Sequence, residues 1–229
     1  MISKKVILFI VEGIYDKVSL GTIVKKIYKD KNVFFQITDG DITTNENTTI
    51  TNVIEKINDH IEIALKETHY KKHDIIKIVH LVDTDGTFVN DNKVIYEDIP
   101  KVQYTSDYIK TKFVESIRKR NSKKSQILSK LCTKKEINKI PYSVYYFSCN
   151  LEHVLHNIQN ATKEEKENLA DEFSERFYFI PEKFIDFISD EEILLSADYN
   201  QSWDLIKKDN NSLNRYSNFN LFFEDINKI

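Results

Sequence analysis

The sequence predicts an α/β fold: a parallel sheet flanked by helices, with a mainly helical C-terminal part. Three observations predict it. Short apolar runs recur in the first 90 residues, each closed by an acidic or glycine-containing turn. Between them lie segments whose apolar residues recur at helical spacing. Strands alternating with helices at this interval imply right-handed parallel crossovers, because an antiparallel hairpin needs no helix between its strands.

Lys5 to Val11 is the first apolar run, and Glu12-Gly13 ends it. Ile14 to Lys29 follows as a helix, with Val18, Ile23, Val24 and Ile27 on one face. Val33 to Thr38 is a second strand, closed by Asp39-Gly40-Asp41. Ile50 to Lys66 carries Ile50, Val53, Ile54, Ile57, Ile61 and Leu65, the pattern of an amphipathic helix. Ile75 to Val82 is a third strand, interrupted by Lys77 and His80 and closed by Asp83-Thr84-Asp85-Gly86.

Later signals are weaker. Val102 to Thr105 is expected as a short strand, Asp107 to Leu131 as one long basic helix, and Tyr142 to Ser148 as a strand. Leu151 to Ile158, Glu164 to Arg176, Pro181 to Ile188 and Ser202 to Lys208 are expected as helices, with Trp203 a core anchor. With no repeat and no linker, the expected organisation is an α/β region over residues 1–150 and a helical region over 151–229 packed on it.

Composition restricts the class. At 229 residues, 41% hydrophobic and 30% charged, the chain can bury a sizeable core and is not of disordered type. The run Val6 to Val11 is too short to cross a bilayer and has no small-residue cleavage site, so no membrane association and a cytoplasmic location are expected. Cys132 and Cys149 lack metal-ligand spacing, which speaks against a zinc site or a disulfide. The net charge of -3 is unevenly spread. Between Asp107 and Ile140, 11 lysines and arginines face three acids, whereas Asn150 to Asp198 is mainly acidic. Such a basic stretch is either a footprint for a polyanion, DNA or RNA, or simply an exposed helix face.

The candidate site lies at strand ends. Ligands of open α/β sheets sit at the carboxyl ends of the strands. Glu12 lies at that end of the first strand, Asp83 and Asp85 at that end of the third, and Asp16 one helical turn beyond Glu12. Converging carboxylates repel one another unless a cation neutralises them, and an all-oxygen set suits a hard divalent ion, Mg2+ or Mn2+. Gly13 and Gly86, two of only four glycines, sit beside these acids. The bland alternative is that each acid is a cap or turn residue.

The segment Val6-Ile7-Leu8-Phe9-Ile10-Val11-Glu12-Gly13-Ile14-Tyr15-Asp16, followed by Ile78-Val79-His80-Leu81-Val82-Asp83-Thr84-Asp85-Gly86, resembles a Toprim domain over about the first 90 to 110 residues. That family pairs a strand-end Glu-Gly, often as E-G-x-x-D, with a later Asp-x-Asp on a Rossmannoid sheet. The resemblance implies metal-dependent phosphodiester chemistry on nucleic acid. Asp83 and Asp85 would be ligands, Glu12 a ligand or the proton acceptor, and Asp16 a further ligand. Neither the zinc-ribbon cysteines of primases nor a strand-passage domain is present, so the standalone nucleases of overcoming-lysogenization-defect type, with a role in phage defence, are the nearest match. Those nucleases carry an ATPase domain, which here is expected on a separate partner chain. Ser148-Cys149-Asn150-Leu151-Glu152 resembles the S-N-P-x-x-E element of RloB-like defence proteins, with Cys149-Asn150 in place of Asn-Pro, and adds Glu152 as a fifth acid and metal ligand.

Other constellations weigh less. Asp83-Thr84-Asp85-Gly86-Thr87 also matches the nucleophile motif of haloacid-dehalogenase-like phosphatases, with Asp83 attacking phosphate and Asp85 as acid/base. A non-catalytic module that binds a nucleotide or a partner is the third reading. His153 and His156 stand three apart beside Glu152, and Tyr142, Tyr145, Tyr146 and Phe147 form an aromatic cluster. Capping or exposed histidines and core packing are the simpler expectations.

Overall fold

The structure is a computed structural model that describes residues 5–38 and 40–226; Asp39, expected in the turn after the second strand, lies outside the described residues. The elements run in chain order. Strand β1 (Val6–Val11) leads into helix α1 (Ile14–Ile27), β2 (Asn32–Ile37), α2 (Val53–Glu67) and β3 (Ile75–Asp83). Three short strands follow, β4 (Val94–Tyr96), β5 (Gln103–Tyr104) and β6 (Ile109–Thr111), and then helix α3 (Val114–Leu131). The hairpin β7 (Glu136–Ile137) and β8 (Ile140–Phe147) precedes helices α4 (Leu151–His156), α5 (Lys163–Arg176), α6 (Glu182–Ile188), α7 (Tyr199–Ile206) and α8 (Asn220–Ile226).

The main sheet has the order β2-β1-β3-β8-β7. β2, β1, β3 and β8 are mutually parallel, and only β7 runs antiparallel, as the partner of β8 in a hairpin. Every residue of β1 is buried, as expected of a parallel strand covered on both faces. Alternation sorts its side chains. Ile7, Phe9 and Val11 face a core shared with α1, α5, α6 and α8, whereas Val6, Leu8 and Ile10 face one shared with α2, α3 and α7. The C-terminal helices therefore supply part of the covering layer on both faces. Trp203 is buried and meets the Tyr146 ring edge-on at 5.0 Å.

Polar residues in the central strand are reconciled locally. Lys77 Nζ donates to Ser143 Oγ at 2.7 Å, and His80 Nδ1 pairs with the Tyr142 hydroxyl at 2.9 Å. Burial lowers the His80 pKa to about 4, so the ring is neutral. Tyr142, Tyr145, Tyr146 and Phe147 are all buried, which makes that aromatic cluster core. Cys132 and Cys149 are free, buried thiols.

The expected helix from Asp107 to Leu131 is shorter than its charge pattern implied. Its first residues form β6 in a second sheet of order β4-β6-β5, and the helix begins at Val114. The strands of this small sheet span only two or three residues, too few for alternation to show in the sequence. Among the described residues, no helix is long and apolar enough to cross a membrane.

Candidate metal-binding carboxylate crevice

Adjacent parallel strands bring the acids together. β1 and β3 are neighbours in the sheet, so Glu12, just past β1, stands beside Asp83 at the end of β3. Glu12 Oε1 accepts the backbone N–H of Asp83 at 3.2 Å, which ties the two strand ends together. Asp16 points back along the first turn of α1, and its Oδ2 accepts the Gly13 N–H at 2.9 Å. Part of its role is thus capping, the bland expectation, but its charge also acts on Asp83.

Asp85 is placed by a tight turn anchored on the far strand. Its N–H donates to Cys149 O at 2.8 Å, and Thr84 Oγ1 receives the Cys149 N–H at 2.8 Å. Asp85, at φ 49, and Cys149, at φ 59, both adopt the left-handed conformation, which side-chain-bearing residues occupy at a cost. Gly86, at φ 65, follows, and a Cβ there would lie 2.5 Å from Leu213 Cδ2. Gly86 is therefore required by both backbone and space. Gly13 is not: its φ of -142 is open to any residue. Asn150 caps α4 by accepting the His153 N–H at 2.9 Å, and so orients Glu152 in the first helical turn.

Electrostatics divides the five acids into two groups. Glu12, Asp16 and Asp83 have raised pKa values. For Glu12 the causes are burial first, then Asp41; for Asp83, burial and then Glu12 and Asp16. Burial also raises Asp16, against its Gly13 hydrogen bond, to about 6. Asp85 behaves oppositely. Burial would raise it, but Lys124 and then Arg120 outweigh this and hold it at about 2. Lys124 Nζ, at the fully buried end of its side chain, lies 2.6 Å from Asp85 Oδ2 and 2.7 Å from Asp41 Oδ2. Glu152 has its own cation, Lys166, with Nζ 2.8 Å from Oε2. The Asp83 carboxylate has neither a hydrogen bond nor an ion pair among the described residues.

Asp41, Lys124, Arg120, Tyr104 and Lys166 were not singled out in the sequence. Arg120 donates to Asp85 O at 2.9 Å and to the Tyr104 hydroxyl at 2.9 Å, and that hydroxyl donates to Asp85 Oδ1 at 3.3 Å. The clearest available signal was the spacing of Arg120 and Lys124, four apart on α3 and hence on one face turned to the crevice. Other cations of α3 tie down the loop before α2: Lys123 Nζ donates to Asn45 O at 2.5 Å and Lys130 Nζ to Ile50 O at 2.6 Å. Much of the basic stretch is therefore engaged in structure. His153 and His156 have lowered pKa values, from burial, and His156 packs edge-on against Phe173.

The donor set is all oxygen, which fits a hard divalent cation. Among the described residues, however, no three His, Cys, Asp or Glu side chains are drawn into an arrangement that could hold a metal ion. Asp83 and Asp85 line an open crevice and not a closed cage. A cavity of about 390 Å3 adjoins Asp83 and Asp85, walled by the β5 segment on one side and the loop between α4 and α5 on the other. Comparison with protein-family models, curated proteins and solved structures yields no match.

Proposed function

We propose that the crevice binds a divalent cation, Mg2+ or Mn2+, and hydrolyses phosphodiester bonds of nucleic acid. One observation carries this reading: Asp83, Glu12 and Asp16 lie together at the strand ends with raised pKa values and no ion pair of their own among the described residues, while the flanking acids Asp85 and Asp41 share Lys124 and Glu152 pairs with Lys166. A fold that pairs the flanking acids and leaves the central ones without an ion pair is prepared for a cation from solution. Mg2+ usually takes one or two carboxylates and keeps several waters, so it needs no preformed cage of three side chains. Asp83 and Asp16 would hold it, with Glu12 beside them.

When bound, such a cation supplies a polarised water and charge stabilisation at a phosphate. The chain supplies the rest. Glu12, whose carboxyl is pushed upward by burial and then by Asp41, would serve as the proton acceptor. Lys124 and Arg120 fix Asp85 in its turn. Lys166, at the cavity wall, offers positive charge to a phosphate. A separate ATPase partner and a role in phage defence rest on the Toprim resemblance alone.

The phosphatase alternative needs Asp85 as a proton donor, and a carboxyl held at about 2 is a poor one near neutrality. The test is incubation with single-stranded, linear and supercoiled DNA, with RNA and with a phosphate monoester, each with Mg2+, Mn2+ or chelator. Polynucleotide cleavage that needs the metal and disappears in Asp83→Asn supports the reading. Monoester turnover alone favours the phosphatase, and no turnover under any condition leaves a binding module.

A further inference from the structure

The small sheet beside the crevice presents a face that the proposed chemistry does not use. Val94, Ile109 and Tyr104 form its inner row, packed against Ile117 and Leu213. Ile95, Lys110 and Gln103 form the opposite row, turned outward. Alternation places Tyr108 and Lys112 on that outward face with Lys110. Tyr108, 39% exposed, lies on that face, while Tyr96, 69% exposed and in the register of the inner row, and Phe113, 59% exposed at the start of α3, stand at the edge where β4 and β6 end. Two carry an ammonium over the ring: Lys93 Nζ is 4.9 Å from the Tyr108 centroid and Lys112 Nζ 5.3 Å from that of Phe113. The acids nearby are Glu97, which Lys110 pairs at 2.9 Å, with Asp98 and Asp107 at the turns.

The same sheet forms one wall of the crevice. Lys101, Gln103 and Tyr104 line the 390 Å3 cavity that reaches Asp83 and Asp85. Opposite, the Asn160 amide closes on the edge of β5, accepting the Tyr104 N–H and donating to Tyr104 O, both at 2.8 Å. That volume, at the low end of the roughly 300–1,000 Å3 of small-molecule pockets, has room for one nucleotide unit but not for a stacked duplex.

We infer that the outer face of β4–β6 is a platform for single-stranded nucleic acid, leading one strand past Lys101 to the carboxylates. Aromatic faces stack on bases whatever their sequence, and lysines beside them take the intervening phosphates. A duplex offers its phosphates but not its base faces. The inference rests on the proposed hydrolase reading for its direction, since it sets the substrate class as single-stranded, but its test is binding.

Fluorescence anisotropy of the full chain in chelator, which suppresses cleavage, compares labelled oligothymidylate, oligouridylate and a blunt duplex of equal length. Single strands are expected to bind at least tenfold tighter than the duplex. Tyr108→Ala and Phe113→Ala, both at exposed positions, are each expected to weaken single-strand binding by about tenfold. Lys112→Ala is expected to reduce the slope of log affinity against log salt by about 0.7. Duplex binding equal to single-strand binding, no binding of either, or unchanged binding in both aromatic variants overturns the platform. Single-strand binding without cleavage in metal overturns the hydrolase and leaves the platform standing; cleavage unaffected by the aromatic variants does the reverse.

Discussion

Lys124 Nζ lies 2.6 Å from Asp85 Oδ2, at the end of a side chain that no solvent reaches. A buried ammonium is costly unless paired, and Asp41 supplies its second partner at 2.7 Å. Lys124→Met leaves two carboxylates facing each other with Arg120 as the remaining nearby cation. The expected loss is about 3 kcal/mol of stability. Because the partners are coupled, Lys124→Met combined with Asp85→Asn should cost less than the sum of the single changes. Chemical denaturation of the four proteins of this cycle measures it, and simple additivity would refute the pairing.

The two glycines beside the acids should respond differently. Gly86→Ala places a methyl 2.5 Å from Leu213 Cδ2 on a backbone at φ 65, and should destabilise by roughly 2 kcal/mol. Gly13→Ala meets only Asp16 Oδ2, at 3.4 Å, and should cost less than about 1 kcal/mol. Thermal melts of both variants test the contrast; equal losses would show that the β3 turn is not as tight as described.

The pH dependence of the metal-free protein follows from the raised acids. Asp16 titrates at about 6 in the folded chain and near 4 when unfolded. Across that interval the folded state holds more protons at Asp16, so the contribution of this group to stability falls as pH rises, and the raised Glu12 and Asp83 act in the same sense. Asp85 acts in the opposite sense only at lower pH, where its stabilising contribution disappears as pH drops from about 4 toward its folded value of about 2. His80 and His153, lowered by burial to about 4, and His156 act in the opposite sense over the same range. The crevice is therefore read by difference: in chelator the melting temperature of the wild type should fall relative to that of Asp16→Asn as pH rises from 4 to 6. Mg2+ should restore more stability at pH 7.5 than at pH 5, because metal competes with protons for the same oxygens. A difference between wild type and Asp16→Asn that stays constant or grows in favour of the wild type as pH rises would count against the crevice electrostatics.

Glu152 should matter less than its position implies. Its charge is already met by Lys166 at 2.8 Å. Glu152→Gln is expected to weaken Mn2+ binding no more than a few-fold, whereas Asp83→Asn should weaken it at least tenfold. Calorimetric titration ranks them, and the reverse order would make Glu152 the principal ligand.

The main sheet was legible because its signal is local. β1 and β3 are continuous apolar runs that end at acids, and α2 has a strong apolar stripe, so element type and strand ends follow from a few neighbouring residues. The three acids at those strand ends, and Asp16 one helical turn beyond Glu12, were legible for the same reason. What the sequence hid depends on distance along the chain. Lys124 meets Asp41 from 83 positions away and Asp85 from 39, and nothing in a stretch with 11 cations distinguishes it. The small β4–β6 sheet was hidden for another reason: strands of two or three residues carry no period. Its charge merges with that of α3, so from sequence the strand reads as the start of the helix.

The central claim is that Asp83 stands at a cation site its own chain leaves uncompensated. Mn2+ titration followed by electron paramagnetic resonance tests it without reference to any substrate. Saturable Mn2+ binding to the wild-type chain, competed by Mg2+ and reduced at least tenfold in Asp83→Asn while the fold is retained, is the predicted result. Absence of saturable binding, or equal binding by the folded Asp83→Asn variant, would contradict it.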